Sequence, residues 1–550
     1  MKKYSIGIDF GTLSGRAVLV DVENGKEMAS ATKEYAHGVM DEKLAYTGES
    51  LPPSYALQDP NDYLSTLEEV VREVVEKSAV DKSQIGGLGI DFTSCTVLPV
   101  DKWGNPLCNL DKYKANRHAY VKLWKHHGAQ AYAEKMTREA KVCEEIFLER
   151  LGGVVSSESA IPKLMEIMTE APDVYQDCAH FIEAGDWLNW VLTGRLTRSY
   201  LFAAFKNAYV EGVGYPSKKL FSSLDKNLEK VIEEKFSGPI LKMGEKVGNI
   251  RREWLDKLGL SGEIVVSTAI IDAHVAAPAV GMKKSGDMLG VLGTSACYML
   301  VSDKEVKVQG ICGVVKDGLL PNLYGYEAGQ CCFGDHYAYV AENITRAEYV
   351  DEARKNGVSM LELLSSKAEK LKPGESGLIA LNWWNGNRSI LVDSSLTGLF
   401  LGMNLNTKPE HYMRALMEAT AFGARNIVDN YKAHGIEVSR FIATGGIARK
   451  NPFLMQLFAD VLGLNILVAN NPQAPATGSA INAAVAMGAY DNFTFAIEKM
   501  ACDYDKIYYP NLDNKAVYDE LYLEYIKLHD YFGKGCNNVM KTLGKIARKA

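Results

Sequence analysis

Short apolar runs separated by turn residues open the chain. Residues 5–10, 15–22 and 26–35 have the composition of strands, and Gly11–Ser14 and Asn24-Gly25 between them are typical turn sequences. Turns this short join neighbouring antiparallel strands. The pattern therefore predicts a three-stranded antiparallel meander.

Helices and strands alternate after the meander. Residues 85–91 and 93–101 predict a further pair of strands, and residues 118–150 and 160–194 are rich in helical patterns. Strands that alternate with helices indicate an α/β fold. Asp59-Pro60 supplies an N-cap and a first-turn proline for a helix with one apolar face, formed by Leu64, Leu67, Val71, Val74 and Val75.

The second half of the chain repeats the opening. Residues 287–301 have the pattern strand, Gly-Thr turn, strand, as residues 6–20 do. Two such openings indicate a duplicated domain. We predict an N-terminal domain over 1–265, a C-terminal domain over 266–550, and a ligand site in a cleft between them.

The same alternation continues after the second opening. A long amphipathic helix is predicted over 409–434 and a strand over 440–444. A helix begins at Asn451-Pro452, a strand follows over 465–469, and a helix of small residues covers about 476–488. Both halves are therefore expected to be layered α/β domains.

Composition limits the possible functions. Of the 550 residues, 47% are hydrophobic and 23% are charged, which is typical of a folded protein with sizeable cores. The net charge of −7 argues against a nucleic-acid partner. The ten cysteines form no C-x-x-C pair, and the uncharged stretch 469–490 is too polar to span a bilayer. We expect reduced thiols, no signal peptide, no membrane partner and a cytoplasmic location.

Two hairpin turns are candidates for phosphate binding. The first contains Asp9, Gly11, Thr12 and Ser14, and the second contains Gly293-Thr294. Backbone N–H groups and hydroxyls in such turns can hold a phosphate, while Asp9 faces Mg²⁺ directly or through water. A plain hairpin with a capping aspartate explains either turn alone, but two matching turns favour a nucleotide. The chain has no Walker pattern and no G-x-G-x-x-G motif after a strand.

Paired glycines join a predicted strand to a helix at Gly445-Gly446, shortly before Asn451. Such glycines let a flat adenine or ribose lie against bare backbone. A simple helix entry with proline at the first helical position explains the same residues.

A carboxylate, Asp272, stands among small apolar residues just before the second hairpin. It can accept the proton of a substrate hydroxyl. The neighbouring His274 is more often a structural residue, and we expect His126-His127 on an exposed helix. Neither predicts a catalytic zinc site.

Three further polar segments have apolar or aromatic neighbours: 183–187, Lys206-Asn207 and 326–330. Fixed donors and acceptors beside rings suit a polyol ligand. A paired core polar group or a helix cap is the alternative for each.

These residues together resemble the FGGY carbohydrate kinases over nearly the whole chain. Residues 89–96, 183–187 and 310–330 are most similar to the members of that family that phosphorylate ribulose. The family resemblance rests on 7–14, 272–274, 293–295, 397–402 with His411 and Glu418, and Gly445-Gly446 with 451–453.

The resemblance implies an actin-like ATPase fold, with two duplicated ribonuclease-H-like domains around a central cleft. It implies transfer of the γ-phosphoryl group of ATP to the terminal hydroxyl of L-ribulose, giving L-ribulose 5-phosphate in L-arabinose catabolism. The N-terminal domain would bind the sugar and carry the first phosphate hairpin, and the C-terminal domain would bind the nucleotide. Relatives of this kind are often homodimers.

The resemblance also implies roles for individual residues. Asp272 would be the general base, and Asp9 would orient Mg²⁺. The sugar would be bound by Asp272, Lys206, Glu327, Thr93 and Ser94. The nucleotide would be bound by Gly11, Thr12, Ser14, Gly293, Thr294, Gly445, Gly446 and Asn451.

Three other functions remain open. Another FGGY kinase could act on xylulose, ribitol or glycerol. An actin-like ATPase serving as a chaperone or filament subunit needs a peptide-binding domain or polymer interface, and the chain has no obvious extra domain. A catalytically silent sugar sensor is disfavoured by the intact Asp9, Asp272 and Gly293-Thr294.

Overall fold

The computed structural model describes residues 2–547, which form two compact units. The first unit runs to Lys283 and also contains Val314–Gly325 and Gln473–Cys502. The second unit contains Lys284–Gly313, Tyr326–Pro472 and the chain from Asp503 onward. The division into domains at residue 265 stays a prediction.

A seven-stranded sheet forms the centre of the first unit. Its strands are β1 (Tyr4–Phe10), β2 (Ser14–Asp21), β3 (Glu27–Glu34), β5 (Ile85–Phe92), β11 (Lys246–Asn249), β12 (Val265–Ser267) and β13 (Ile270–Ile271). The order is β11-β12-β5-β1-β2-β3, with β13 beside β5. Strands β1, β2 and β3 are antiparallel neighbours, so the predicted meander is confirmed.

Smaller strands and the helices surround this sheet. The strands are β4 (Leu57–Gln58), β6 (Val97–Val100), β7 (Val121–Lys122), β8 (His180–Glu183), β9 (Arg198–Ser199) and β10 (Ile240–Leu241). The helices are α1 (Pro60–Ser78), α2 (Gln130–Val142), α3 (Ile146–Arg150), α4 (Ala160–Glu170), α5 (Pro172–Asp177), α6 (Ala184–Thr193), α7 (Tyr200–Lys206), α8 (Lys218–Leu224), α9 (Val231–Lys235), α10 (Arg252–Leu258), α11 (Asp272–Ala279), α18 (Ala474–Ala486) and α19 (Phe493–Met500).

The second unit is built on a sheet with strand order β17-β15-β14-β20-β21-β22. Its strands are β14 (Asp287–Leu292), β15 (Ala296–Ser302), β17 (Tyr324–Gln330), β20 (Arg440–Thr444), β21 (Ile466–Ala469) and β22 (Tyr504–Tyr508). Strand β16 (Gly313–Lys316) pairs with β17 at the edge of this sheet, and β18 (Ile379–Leu381) and β19 (Leu399–Leu401) form a separate two-stranded sheet. The helices are α12 (Gly334–Asn343), α13 (Ala347–Asn356), α14 (Met360–Glu369), α15 (Pro409–Ala433), α16 (Gly446–Lys450), α17 (Pro452–Leu462), α20 (Leu512–Gly533) and α21 (Val539–Ala547).

The two main sheets share one topology. In the first unit the antiparallel pair β1 and β2 is followed by β5 and β12, which extend the sheet in parallel. In the second unit the antiparallel pair β14 and β15 is followed by the parallel strands β20 and β21. The duplication inferred from the sequence is therefore confirmed at the level of topology.

Helix α18 lies directly against the backbone of the first sheet. A Cβ atom added at Gly7 would lie 1.7 Å from the Ala476 carbonyl oxygen, and one at Gly89 would lie 2.1 Å from that of Ser479. These two strand positions accept no side chain. The small residues of α18 and the glycines of β1 and β5 therefore form one close contact.

The predicted pairing of residues 85–91 with 93–101 is wrong. Strand β6 pairs with β7 and β8 in a separate four-stranded sheet of order β4-β7-β6-β8. The link between β5 and β6 is not a hairpin, because the two strands belong to different sheets, and Cys95 within it has a left-handed φ of 58°. The hydroxyls of Thr93 and Thr96 are 2.7 Å apart across it, and the chain leaves the main sheet at this point.

The expectation that His126-His127 lie on an exposed helix is also wrong. They follow β7 in a loop, and the His126 side chain is fully buried. Its Nε2 and the Lys122 ammonium each lie 2.9 Å from Glu166 Oε2. Burial, followed by the charge of Lys122, lowers the pKa of His126 to about 3, so this histidine is neutral.

Two other predictions concern the whole chain. All ten cysteines are free thiols, as expected. Among residues 2–547, no helix combines the length and apolar character that crossing a bilayer needs.

Candidate functional site

Three aspartates lie at the carboxyl ends of neighbouring strands in the first unit. Asp9 of β1 pairs with Asp91 of β5. Ile271 of β13 pairs with Phe92 of β5, so Asp272 comes one residue beyond that pair. The carboxyl edge of parallel strands is where open α/β sheets bind ligands.

Asp91 is a site residue that the sequence reasoning missed. It is completely buried, and its Oδ2 accepts a 2.7 Å hydrogen bond from the Ser479 hydroxyl. The signal was present, because the quartet Gly-Ile-Asp-Phe at 89–92 repeats the quartet at 7–10. Two identical quartets on adjacent parallel strands place two carboxylates side by side.

The pKa values of both Asp9 and Asp91 are raised in the folded protein. Burial, together with the charge of Asp9, raises the pKa of Asp91 well above its usual value. Burial also raises the pKa of Asp9, and Arg16, 3.6 Å away, partly offsets it. Asp91 Oδ1 has no hydrogen-bond partner among the described residues. A divalent cation would neutralise both groups, and carboxylate oxygens are the ligands Mg²⁺ prefers, so this pair fits that ion.

Asp272 is the first residue of α11 and is half-buried. Its Oδ1 accepts a 2.7 Å hydrogen bond from the Ala273 N–H. A Cβ atom added at Gly478 would lie 1.8 Å from the Val275 carbonyl oxygen, so α18 touches the backbone of α11. The neighbouring His274 is buried against the Phe205 ring, 4.4 Å between centroids, as expected of a structural histidine.

The predicted sugar residues of the first unit lie at the ends of β5 and α7. Thr93 follows β5 beside Asp272, and Ser94 next to it is half-buried. Lys206 ends α7, whose Phe205 contacts α11. The ammonium of Lys163, which the sequence reasoning did not single out, donates to the Cys95 carbonyl at 2.6 Å. Lys163 thereby stabilises the left-handed turn that presents Ser94.

Two buried acids lie close to this region. Glu183 precedes α6, and its Oε1 accepts a long, 3.5 Å hydrogen bond from Asn207 Nδ2. Burial and then the charge of Asp186 raise the pKa of Glu183 to about 8. Burial raises the pKa of Asp186 to about 7, although both its oxygens accept from the Ser199 N–H at 3.0 Å. Both acids hold protons more tightly in the folded protein than in the unfolded chain.

This proton affinity predicts a pH-dependent stability change in Glu183→Gln. The folded pKa lies above the unfolded value of about 4.3, so between these values the folded state binds the extra proton. Stability from this group therefore falls as pH rises, by roughly 2 kcal/mol between about pH 6 and 8. The variant should lose less stability than wild type over that range in denaturant unfolding. Glu229→Gln, at an exposed position, should follow wild type; identical curves for both variants would contradict the assignment.

The second unit carries the other phosphate candidate between β14 and β15. The turn at Gly293-Thr294 is closed by the Gly293 N–H, which donates to the Ser295 carbonyl at 3.0 Å. The N–H groups of Phe333 and Gly334 donate to the Thr294 carbonyl at 2.9 and 3.0 Å. These bonds turn the carbonyl dipole toward α12. An anion-binding turn needs this orientation, because a free carbonyl oxygen would repel phosphate.

The paired glycines lie next to that turn in the second unit. Thr444 of β20 pairs with Val291 of β14, and Gly445 follows with φ of 98°. A Cβ atom at Gly445 would lie 2.5 Å from the Leu292 carbonyl oxygen, whereas one at Gly446 would meet nothing within 4 Å. Gly445 is therefore required by the fold, and Gly446 leaves bare backbone open.

Asn451 and Glu327 complete the predicted residues of the second unit. Asn451 caps α17, and its Oδ1 accepts from the Leu454 N–H at 3.0 Å. Glu327 lies in β17 with 9% of its surface exposed, and its carbonyl accepts from the Cys312 N–H at 2.7 Å. The cap explains Asn451 structurally, and its nucleotide contact stays a prediction.

Comparisons with known proteins give a consistent result. Residues 4–279 match the N-terminal domain of the FGGY family of carbohydrate kinases, and residues 288–487 match its C-terminal domain. The chain is 47% identical to a ribulokinase of Bacillus licheniformis, over 97% of each protein. It is also 47% identical to a ribulokinase of Halalkalibacterium halodurans, over 98% of this chain and 97% of that protein.

Solved structures show the same fold at low identity. A ligand-bound xylulose kinase from Lactobacillus acidophilus gives a TM-score of 0.80 at 18% identity, over 96% of this chain and 98% of that one. A Plasmodium falciparum glycerol kinase with ADP gives a TM-score of 0.77 at 18% identity, over 96% of this chain and 97% of that one. The predicted α/β fold of the actin-like ATPase type, built from ribonuclease-H-like domains, is confirmed.

Proposed function

This chain belongs to the FGGY family of carbohydrate kinases, and we propose that it transfers the γ-phosphoryl group of ATP to the terminal hydroxyl of L-ribulose. The product would be L-ribulose 5-phosphate, formed in L-arabinose catabolism. The observation that carries this proposal is the 47% identity to two ribulokinases over nearly the full length of each. As a member of the family, the protein is a sugar kinase that uses ATP.

Magnesium is the second cofactor in the proposal. Asp9 and Asp91 would hold it, directly or through water, because they form a buried carboxylate pair of high proton affinity. When bound, the ion would neutralise charge on the phosphate oxygens of ATP. Arg16, at 3.6 Å from Asp9, would partly offset the effect of burial on the pKa of that carboxyl.

Asp272 is the proposed general base. Phosphoryl transfer has a loose transition state, so positioning and charge stabilisation supply most of the rate enhancement. Asp272 would orient the sugar hydroxyl and receive its proton as the bond to phosphorus forms. Its fixed place at the start of α11 supports this role, since the Ala273 N–H holds one oxygen of the carboxylate in position.

The remaining proposed contacts divide between phosphate and sugar. Gly11, Thr12 and Ser14 would bind phosphate from the first unit, and Gly293 and Thr294 from the second. The base and ribose would lie against Gly445, Gly446 and Asn451. The sugar would be bound by Thr93, Ser94, Lys206, Asp272 and Glu327.

A substrate panel tests the proposal. ADP release would be measured with L-ribulose, xylulose, ribitol and glycerol, and also without sugar. We expect the highest kcat/KM with L-ribulose and little turnover in its absence. A higher kcat/KM for another sugar would replace the substrate within the same family, and sugar-independent turnover would favour the actin-like ATPase alternative.

Glu327→Ala is expected to raise KM for the sugar by roughly tenfold, with a smaller change in KM for ATP. A carboxylate that accepts hydrogen bonds from sugar hydroxyls contributes about 1–3 kcal/mol, which corresponds to this range. Initial-rate kinetics with each substrate varied in turn would measure both constants. Equal KM values for L-ribulose in the variant and wild type would rule out the contact.

Three broader expectations accompany the proposal. The protein would be a homodimer and would work in the cytoplasm on small molecules, without nucleic-acid or membrane partners. The N-terminal domain would carry the sugar site and the C-terminal domain the nucleotide site. These points remain predictions.

A further inference from the structure

The first hairpin turn has its carbonyl groups engaged by side chains and backbone from outside β1. The Tyr35 hydroxyl donates to the Gly11 carbonyl at 2.9 Å, and the Tyr35 N–H donates to the Leu13 carbonyl at 3.0 Å. Gln58 Nε2 donates to the Thr12 carbonyl at 2.8 Å. Three consecutive carbonyl oxygens therefore already accept a hydrogen bond from the protein.

The Thr12 hydroxyl is oriented in the same way. The indole N–H of Trp124 donates to Thr12 Oγ1 at 3.0 Å. Indole has a donor and no acceptor, whereas a hydroxyl has one donor and two acceptor lone pairs. The Trp124 bond therefore occupies a lone pair, and the hydroxyl proton of Thr12 points toward a different acceptor.

The groups of this turn that remain available for a ligand are hydrogen-bond donors. Within residues 2–547, neither the Thr12 N–H nor the Leu13 N–H has a hydrogen-bond acceptor. Two N–H groups and one oriented hydroxyl are thus available together, while the competing carbonyls are engaged. Such a set binds the oxygens of an anion and disfavours a cation.

Two of the residues that contact the turn, Tyr35 and Gln58, are held in place by the buried Tyr63. Tyr63 is fully buried, and its hydroxyl donates to Gln58 Oε1 at 2.6 Å. The buried Tyr35 packs edge-to-face against Tyr63, with ring centroids 5.4 Å apart. The turn therefore has its binding geometry before any ligand arrives, which lowers the entropic cost of binding.

We propose that Tyr35, Gln58 and Trp124, here called the turn-support cluster, are positioning residues that hold the first hairpin as a preformed receptor for the ATP phosphates. This inference rests on the proposed function for the identity of the ligand. None of the three residues needs to touch the nucleotide. Their effect is transmitted through the carbonyls of Gly11 and Thr12 and through the Thr12 hydroxyl.

The test compares nucleotide binding in Tyr35→Phe and Trp124→Phe with wild type. Each variant removes one hydrogen bond to the turn, and Tyr35→Phe removes a single oxygen. Calorimetry with a non-hydrolysable ATP analogue should show affinity lowered roughly five- to tenfold in each. Adenosine has no phosphate, so its affinity should not change. KM for the sugar should also stay at the wild-type value.

Tyr113→Phe is the matched control. Its hydroxyl donates to the Asp173 carbonyl at 2.8 Å in the same unit, and neither residue contacts the turn-support cluster through any of the bonds described above. It should lower Tm about as much as Tyr35→Phe while leaving affinity for the ATP analogue unchanged. The inference is overturned if Tyr35→Phe binds the analogue as wild type does, or loses adenosine affinity equally. Binding needs no turnover, so a wild type inactive on L-ribulose would refute the proposed substrate and leave this test intact.

Discussion

Replacing Asp272 with asparagine is expected to lower kcat by at least about a hundredfold, the lower end of the range for a general base. Asparagine keeps an oxygen for the Ala273 N–H, so the start of α11 should be preserved. It cannot receive a proton. Steady-state kinetics with L-ribulose and ATP would measure the loss, and KM for ATP should change much less.

A matched variant tests whether the loss of a negative charge in the first turn of a helix is enough to lower kcat. Asp173→Asn changes an exposed first-turn aspartate of α5 and should leave kcat unaltered. The melting temperatures of both variants should lie close to wild type. If Asp272→Asn turned over L-ribulose at the wild-type rate, Asp272 would not be the base.

Lys122→Met is expected to lower the free energy of unfolding by about 3–5 kcal/mol, as for other broken buried ion pairs. Lys122 and Glu166 are both fully buried. Burial alone would raise the pKa of Glu166, but the Lys122 charge and the hydrogen bond from His126 outweigh it and lower that pKa. Without the ammonium, the neutral His126 does not balance the charge of the buried carboxylate. Urea unfolding would measure the loss.

The pH dependence of the Lys122→Met deficit has a defined sign. In wild type, the pKa of Glu166 is lower in the folded protein than in the unfolded chain. The stability that this difference gives is fully present above the pKa of the unfolded chain, and it is lost as pH falls through the pKa of the folded protein. In the variant, Glu166 should take up a proton more readily, so the deficit should shrink at low pH. The double variant Lys122→Met, Glu166→Gln should recover part of the loss. Lys112→Met, in an exposed pair with Asp177, should leave the free energy of unfolding close to that of wild type.

Local patterns gave the elements that the sequence could predict. The strand over Arg440–Thr444 follows from its own apolar pattern. The helix that begins at Pro452 follows from the N-cap residue directly before it. The repeated hairpins likewise revealed the duplication. These features depend on residues close in sequence, which is the information that a single chain displays.

The errors concern partners that are distant in sequence. The burial of His126 depends on Glu166, forty residues later. The register of Asp91 with Asp9 depends on a parallel pairing that no local pattern specifies. The support of Thr12 by Trp124 joins residues 112 positions apart. The sequence indicated the chemistry of the proposed site residues. The residues that contact them and hold them in position could be identified only in the folded structure.

The place of α18 in the chain has a consequence for synthesis on the ribosome. This helix covers the glycine positions of β1 and β5, yet its residues come after most of the second unit. A nascent chain that has emerged only to Lys283 lacks the segment that closes this face of the first sheet. The earliest part of the protein to be translated must therefore wait for residues 474–486 before its own folding is complete.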